Sequence, residues 1–260
     1  MDRVPRGSRL AHPLSIHVHR MARWAQWLFV LVVAPVAHAA PGGDAFFELS
    51  GGLKSGDFGT AVRSDLTYVA PAAGYVTPDY DLSATIPYLR LTTEDSATSS
   101  SESGLGDIVA RAGRVLLPEA VGDFSVYGAL ALKLPTADET RGLGTGETDL
   151  GAFLSARRPL GKLRLNLQTG YIKSGLTQME GLRGVFLYGA GLSAVADRTH
   201  WQVSLDGRTS LVHGARAPLE ISAGALHALG GRYFAKVSAF AGLNDGGPAF
   251  GVGTGLVWVF

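Results

Sequence analysis

The last eleven residues of the chain, 250–260, read Phe-Gly-Val-Gly-Thr-Gly-Leu-Val-Trp-Val-Phe. Steps of two back from the C-terminus define one face of a β-strand that is aromatic and apolar, made of Phe260, Trp258, Leu256, Thr254, Val252 and Phe250. The opposite face is mostly glycine, and a strand of a soluble sheet would carry polar side chains there. The pattern therefore predicts a barrel wall, with its apolar face toward lipid and its glycine face toward a crowded interior.

The N-terminus has the features of a secretory signal. Arg20 and Arg23 precede an apolar run over residues 24–36, and Ala37-His38-Ala39 follows as a cleavage pattern. The run is too short to span a bilayer comfortably, so a signal peptide is expected at 1–39, with Met21 as an alternative start. The alternative is a short buried helix. A single outer-membrane β-barrel is expected over residues 40–260.

Composition bears on the partners of the chain and on what stabilises its fold. Residues 1–39 hold five of the 23 basic and one of the 22 acidic side chains, so residues 40–260 keep 18 basic and 21 acidic ones and a net charge of −3. This balance gives no reason to expect nucleic acid as a partner. The chain has no cysteine, so disulfides cannot support an exported fold, and hydrogen bonding and burial must do so.

The rest of the chain repeats alternating segments of about 10 residues, separated by Gly, Pro, Asp and Ser, as transmembrane β-barrels do. We predict an all-β, antiparallel transmembrane β-barrel of about 12 strands. The predicted strands cover residues 45–54, 60–70, 79–92, 105–117, 124–134, 147–158, 163–174, 183–196, 200–212, 218–229, 232–243 and 250–260.

The alternation also assigns the two faces. On 163–173, Leu163, Leu165 and Leu167 point one way while Arg164 and Gln168 point the other. Because a basic side chain on the lipid face of a barrel costs roughly 2–4 kcal/mol at the midplane, the polar face must be the lumen. The same reasoning places Trp201, Val203, Leu205 and Leu211 toward lipid.

A barrel of about 12 strands leaves a narrow lumen, so its charged side chains are candidates for the pore lining. Those predicted to line the pore are Asp107, Arg111, Lys133, Asp149, Arg157, Arg164, Asp206, Arg208, Glu220, Arg232 and Lys236, and Glu48, Arg63 and Asp65 are expected to face inward as well. Two interpretations stay open. The charges set solute selectivity, or they form structural salt bridges that close the interior.

The connections fit a periplasmic N-terminus. Residues 118–123, 159–162, 197–199 and 230–231 are short, as periplasmic turns are, and Glu94–Gly104, Pro135–Gly146 and Gly175–Leu182 are longer, as outer loops are. Only the connection Pro71–Pro78 is long for a periplasmic turn.

Enzymatic chemistry has little support. A barrel lipid hydrolase needs Ser and His within hydrogen-bonding reach at the outer interface, and His213 is the one candidate, without a neighbouring Ser motif. No catalytic residues, metal site or cofactor are expected. The glycine-rich 142–147 lacks the Lys-Ser/Thr ending of a phosphate loop, so it is expected to be an outer loop.

Four motifs in order resemble a known family: Leu105-Gly106-Asp107, Lys133-Leu134-Pro135-Thr136, Gly142-Leu143-Gly144-Thr145-Gly146-Glu147 and Gly170-Tyr171. This is the outer-membrane transporter family named after the meta pathway of phenol degradation, although its usual Gly after Pro-Thr is Ala137 here. The resemblance implies a bacterial outer-membrane barrel that moves small, often aromatic, compounds. The last strand also resembles the closing strand of such barrels, which implies that Trp258 and Phe260 are the signal read by the barrel assembly machinery.

The expected function is a channel for small solutes, aromatic or hydrophobic ones included, in the bacterial outer membrane. Its expected partners are outer-membrane lipid, the assembly machinery and the solute. The alternative is an occluded structural or binding barrel that acts through its outer loops. A lipid hydrolase using His213 and a soluble periplasmic β-sandwich are weaker alternatives.

Overall fold

The structure, a computed structural model, describes residues 43–58, 62–95, 99–119, 123–175, 182–212 and 214–260. The signal peptide expected at 1–39 and the candidate His213 lie outside these residues. Within these ranges, no helix has the length and the apolar character needed to cross a membrane.

Fourteen β-segments form one antiparallel sheet. They are β1 (Asp44–Gly56), β2 (Arg63–Val76), β3 (Tyr80–Thr85), β4 (Tyr88–Glu94), β5 (Ser99–Leu105), β6 (Ile108–Leu117), β7 (Ser125–Leu134), β8 (Asp149–Leu160), β9 (Leu163–Lys173), β10 (Val185–Ala196), β11 (Thr199–Arg208), β12 (Leu219–Gly230), β13 (Tyr233–Gly242) and β14 (Phe250–Val259). The sheet closes on itself, because β1 pairs with β2 on one side and with β14 on the other.

Two pairs of segments are single strands of the barrel wall with a local interruption. β3 and β4 pair with the same strand, β2, in one register, and β5 and β6 follow them on the other side. The wall therefore has 12 strands, as predicted. Thr85 pairs with Val109 and Tyr88 pairs with Leu105. Two residues separate Thr85 from Tyr88 and three separate Leu105 from Val109, so β5–β6 carries a β-bulge at Gly106 and Asp107. The Gly106 N–H donates to the Pro87 carbonyl at 2.8 Å, which closes the wall there.

Four sequence predictions about connections and faces are wrong. Arg63 and Asp65, expected to face inward, alternate on β2 with the buried Ser64 and Leu66, and their side chains are 57% and 47% exposed. The outer loop expected at Glu94–Gly104 is mostly strand β5, paired with β4 as a hairpin. The connection expected at Pro71–Pro78 is largely strand, because β2 runs to Val76 and only Thr77–Asp79 turns. Leu211, expected to face lipid, lies beyond the end of β11 and is buried in an apolar cluster with Ile172.

The outer surface is an apolar belt edged by aromatic side chains. Leu130, Leu167 and Leu192 are exposed in the middle of their strands. Near the periplasmic end, the Trp258 ring stacks on Tyr233 with centroids 5.9 Å apart and approaches Phe260 to 4.3 Å. Exposed aromatic side chains near the outer ends include Tyr171, Phe186 and Phe250. A belt of this kind matches the lipid-facing surface of a transmembrane barrel.

The interior divides into a filled half and an open half. Along β14, Gly251 lies under the ring of Phe240, and a Cβ on Gly255 would lie 2.7 Å from Cε of Lys236. Glycine on this wall thus gives room to large side chains from neighbouring strands, as its glycine face predicts. The opposite wall, β6–β12, borders an open cavity.

Candidate functional site in the barrel interior

A cavity of about 320 Å³ follows the interior wall formed by β6–β12. Its lining begins at the periplasmic turns, at Pro78 and Pro118, and extends to Pro218, which precedes β12 at the outer end. Four arginines and four carboxylates line it, namely Arg111, Arg157, Arg164, Arg208, Asp81, Glu119, Asp206 and Glu220. Six of these eight residues belong to the predicted pore lining.

Near the periplasmic end, Arg111 is held in a three-residue network. Its guanidinium donates to Asp81 at 2.6 Å and to the Tyr127 hydroxyl at 2.7 Å, and that hydroxyl donates to the other oxygen of Asp81. The network joins β3, β6 and β7, so it fixes three neighbouring strands. A Cβ on Gly113 would overlap the Tyr127 hydroxyl, which explains glycine at that position.

The predicted pore lining does not include Asp81 and Tyr127, although strand alternation indicates that both side chains face inward. Counting back in twos from Lys133, the face expected to be inward contains residues 131, 129 and then Tyr127. Asp81 shares its segment with Tyr80 and Leu82, both exposed on the outer face, so alternation alone makes Asp81 inward.

Asp206 is surrounded by uncharged donors. Gln168 Nε2 donates to one of its oxygens at 2.5 Å, and the Ser204 hydroxyl donates to the other at 2.5 Å. Ser204 also lies 2.7 Å from the Ser222 hydroxyl, so the network runs across β9, β11 and β12. The carboxylate is thereby held against the wall, and no basic group of the described residues lies within 4.0 Å of it.

Two cavity arginines have no carboxylate in contact. Among the described residues, no carboxylate oxygen lies within 4.0 Å of the Arg157 or Arg208 guanidinium. The buried Nε of Arg208 has no hydrogen-bond partner in the part of the chain that the structure describes. Arg164, nearer the periplasm, lies 3.9 Å from Glu119, and both side chains are largely exposed.

Lys133, Asp107 and Asp149 form a separate buried cluster near the outer end. Lys133 Nζ lies 2.9 Å from Asp107 and 3.1 Å from Asp149, and the three side chains are at most 1% exposed. The ammonium also donates to Thr145 Oγ1 at 2.5 Å and to the Glu147 carbonyl at 3.1 Å. We call these five residues the lysine cluster. They join β7, β8 and the bulge between β5 and β6 to the loop that follows β7.

The loop after β7, residues 135–148, bends inward onto the lysine cluster. The Ala137 N–H donates to Asp107 at 3.1 Å, and a Cβ on Gly144 would lie 2.6 Å from the same carboxylate. Leu143 is 1% exposed and packs with Phe58 and Leu89. The loop therefore covers part of the outer end of the barrel instead of extending into solvent.

At its exposed side, the loop contains a tight turn. The Asp138 carboxylate accepts from the Thr140 hydroxyl at 2.6 Å and from the Thr140 N–H at 2.9 Å. The hydroxyl bond, supported by backbone N–H groups and by Arg141, holds the pKa of Asp138 below its usual value. Arg141 in turn pairs with Glu102 of β5 at 2.8 Å.

The remaining predicted residues lie elsewhere. Lys236 pairs with Glu48 in the filled half of the interior, and Glu220 interacts electrostatically with both Arg208 and Lys54. Arg232 is exposed in the periplasmic turn between β12 and β13. That these charges line a path for solutes stays a prediction.

Comparison with known proteins is informative at the level of fold. No protein-family model matches the chain, and no curated protein matches it either. A crystallised outer membrane channel from Pseudomonas putida F1 superposes with a TM-score of 0.70 at 16% identity, covering 88% of this chain and 100% of the channel. The chain has the fold of bacterial outer-membrane β-barrels.

Two further structures support this assignment. The translocator domain of the autotransporter NalP from Neisseria meningitidis gives a TM-score of 0.56 at 14% identity, with 97% and 100% of the two chains covered. The KdgM porin superposes with a TM-score of 0.52 at 9% identity, covering 83% of this chain and 99% of the porin. The predicted fold class is confirmed, and the closed barrel with its apolar belt agrees with the predicted location in the bacterial outer membrane. The resemblance to the phenol-degradation family is confirmed only as far as the outer-membrane barrel.

Proposed function

We propose that this outer-membrane barrel is a channel for small solutes and that the cavity along β6–β12 is the path they take. The observation that carries the proposal is the extent of the cavity, whose lining runs from the periplasmic turns to Pro218 at the outer end. A barrel of 12 strands is wider than one that its own side chains fill and narrower than an open porin. Selection by the side chains along the path follows from that width.

Aromatic compounds are the substrate class that we propose. The cavity wall contains Phe153, Leu187 and Ala129 beside its charged groups, so part of a solute can contact apolar surface during passage. This agrees with the class implied by the resemblance to the phenol-degradation family. We propose no enzymatic activity and no nucleic-acid partner. Outer-membrane lipid and the barrel assembly machinery are the macromolecular partners we propose.

The test is single-channel conductance of refolded 40–260 in a planar bilayer, with one variant that fills the cavity. Ala129 is 7% exposed and lines the cavity, so Ala129→Trp should reduce the conductance strongly. The matched control is Leu130→Trp on the neighbouring residue, which is 66% exposed on the outer face and should leave the conductance unchanged. Equal conductance for both variants would reject the cavity as the path.

One observation favours a second function. The lysine cluster fixes the loop 135–148 over part of the outer end, as expected of an occluded barrel that acts through its loops. A barrel of that kind would fold but would show no conductance in the same bilayer. Deletion of residues 138–143 would then abolish its activity without changing permeability.

A further inference from the structure

The two unpaired arginines stand at different depths of the same cavity. Arg157 is toward the periplasmic end of β8, whereas Arg208 ends β11 on the outer side. Both residues belong to the cavity lining. The buried Nε of Arg208 has no partner among the described residues, so it can donate a hydrogen bond to a bound group.

The carboxylates near them are already engaged by other groups. Asp81 is held by Arg111 and Tyr127, and Asp206 accepts from Gln168 and Ser204. Glu119 has Arg164 as its partner near the periplasmic mouth. Glu220 interacts electrostatically with both Arg208 and Lys54 and is paired across β11 and β12 with Asp206. The basic groups of the cavity therefore retain capacity for an added anion.

An apolar surface lies between the two arginines. Phe153 is four residues before Arg157 on β8 and shares its inward face. Its ring lies over Gly170, where a Cβ would be 2.5 Å from the ring. Gly170 is paired with Leu187, and Leu187 is paired with Arg208. Phe153, Leu187 and Arg208 therefore lie in one row across the wall, and Arg157 lies four residues nearer the periplasmic end of β8.

We propose that Arg157 and Arg208 are two successive binding positions for the carboxylate of a small organic anion, whose apolar body contacts Phe153. The proposal rests on the proposed channel function and specifies its substrate class, an aromatic carboxylate. Arginine suits this task because its planar group binds a carboxylate through two parallel N–H donors and never loses its charge. Two positions in series let the anion enter one and leave from the other, as conduction requires.

Binding is measured first, by titrating benzoate into the refolded barrel in detergent and following the heat released. Benzyl alcohol serves as the neutral analogue and acetate as the anion without a ring. Arg157→Gln and Arg208→Gln should each weaken benzoate binding by about tenfold or more, the loss expected for one charged hydrogen-bonded contact. The matched control is Arg158→Gln, because Arg158 is the next residue of β8 and is exposed on the outer face. All variants are checked for heat-modifiable migration, so that a misfolded barrel is not counted.

The outcomes separate this inference from the channel itself. Benzoate binding that exceeds that of benzyl alcohol and acetate, and that falls in the two variants but not in the control, supports the site. Equal binding of benzoate and benzyl alcohol, or wild-type affinity in both variants, overturns it. Conductance of the same preparations is recorded independently. A barrel that binds benzoate but shows no conductance would reject the channel function and support the binding site. A barrel that conducts but does not bind benzoate would support the channel function and reject the binding site.

Discussion

Replacing Lys133 by methionine should be far more damaging than replacing either of its acidic partners. The lysine cluster holds one ammonium between two carboxylates, all three at most 1% exposed. Lys133→Met keeps the length of the side chain but leaves Asp107 and Asp149 buried without a cation. Loss of one partner from a buried ionic group costs about 3–5 kcal/mol of unfolding free energy. That range corresponds to roughly two to four powers of ten in the unfolding equilibrium.

Asp107→Asn is the matched comparison, and it should cost about 1 kcal/mol, the usual net value of a hydrogen bond. Lys133 and Asp149 then remain as a neutral pair 3.1 Å apart, and the Asn carbonyl can still accept from the Ala137 N–H. The triple variant Lys133→Met, Asp107→Asn, Asp149→Asn should recover much of the loss, because no unpaired charge remains buried.

The assay is equilibrium urea unfolding of the refolded barrel in lipid vesicles, followed by tryptophan fluorescence, with slopes compared between variants. The order of stability expected is wild type, then Asp107→Asn, then the triple variant, with Lys133→Met last. Equal destabilisation by Lys133→Met and Asp107→Asn would refute the argument. It would mean that water or ions reach the cluster and that the loop 135–148 does not seal it.

Three further predictions test the faces, the last strand and the outer turn. Leu167→Arg on the lipid face should cost roughly 2–4 kcal/mol in the same unfolding assay, whereas Gln168→Arg on the cavity face should cost much less, and equal costs would invert our assignment of faces. Deletion of Phe260 should leave export intact but reduce the heat-modifiable barrel recovered from outer membranes, and normal recovery would argue against its role in assembly. The Asp138 carboxylate has its pKa below the usual 3.8 in the folded state, so the turn's stabilisation is complete above that pH and is lost as the pH falls further. The Thr140 amide resonance should report this titration, and a midpoint at or above 3.8 would contradict it.

Strand positions and faces could be predicted because lipid imposes a strict rule on every second residue. On β9, Leu163 and Leu167 are exposed outward while Gln168 makes its hydrogen bond inside. The rule acts locally, so it needs no knowledge of neighbouring strands. It fails beyond the strand ends, as Leu211 shows, because a chain that leaves the wall no longer alternates between lipid and lumen.

Partners across the barrel could not be predicted, because they depend on register and on bulges that move a strand by one residue. Asp107 and Lys133 lie 26 positions apart, and the bulge beside Gly106 brings the carboxylate to the ammonium. Because the partners were unknown, the sequence could not decide whether the charges set solute selectivity or form structural salt bridges. The structure separates the buried lysine cluster, which holds a loop, from Arg157 and Arg208, which contact no carboxylate of the described residues, and places Arg111 and Lys236 in ion pairs of their own.

Three of the four motifs behind the family resemblance meet in space at the lysine cluster. Gly106 must lack a side chain, because a Cβ there would lie 2.8 Å from Leu89, and Gly144 must lack one to admit the Asp107 carboxylate. Thr136 accepts from the Ile108 N–H at 2.9 Å and so ties the loop to the strand that follows the bulge. These three motifs describe one structural device that fastens an outer loop to the wall, whereas Gly170 of the fourth lies under the Phe153 ring, which borders the cavity. The device contains neither Arg157 nor Arg208, so it holds the loop without specifying these two side chains of the open cavity.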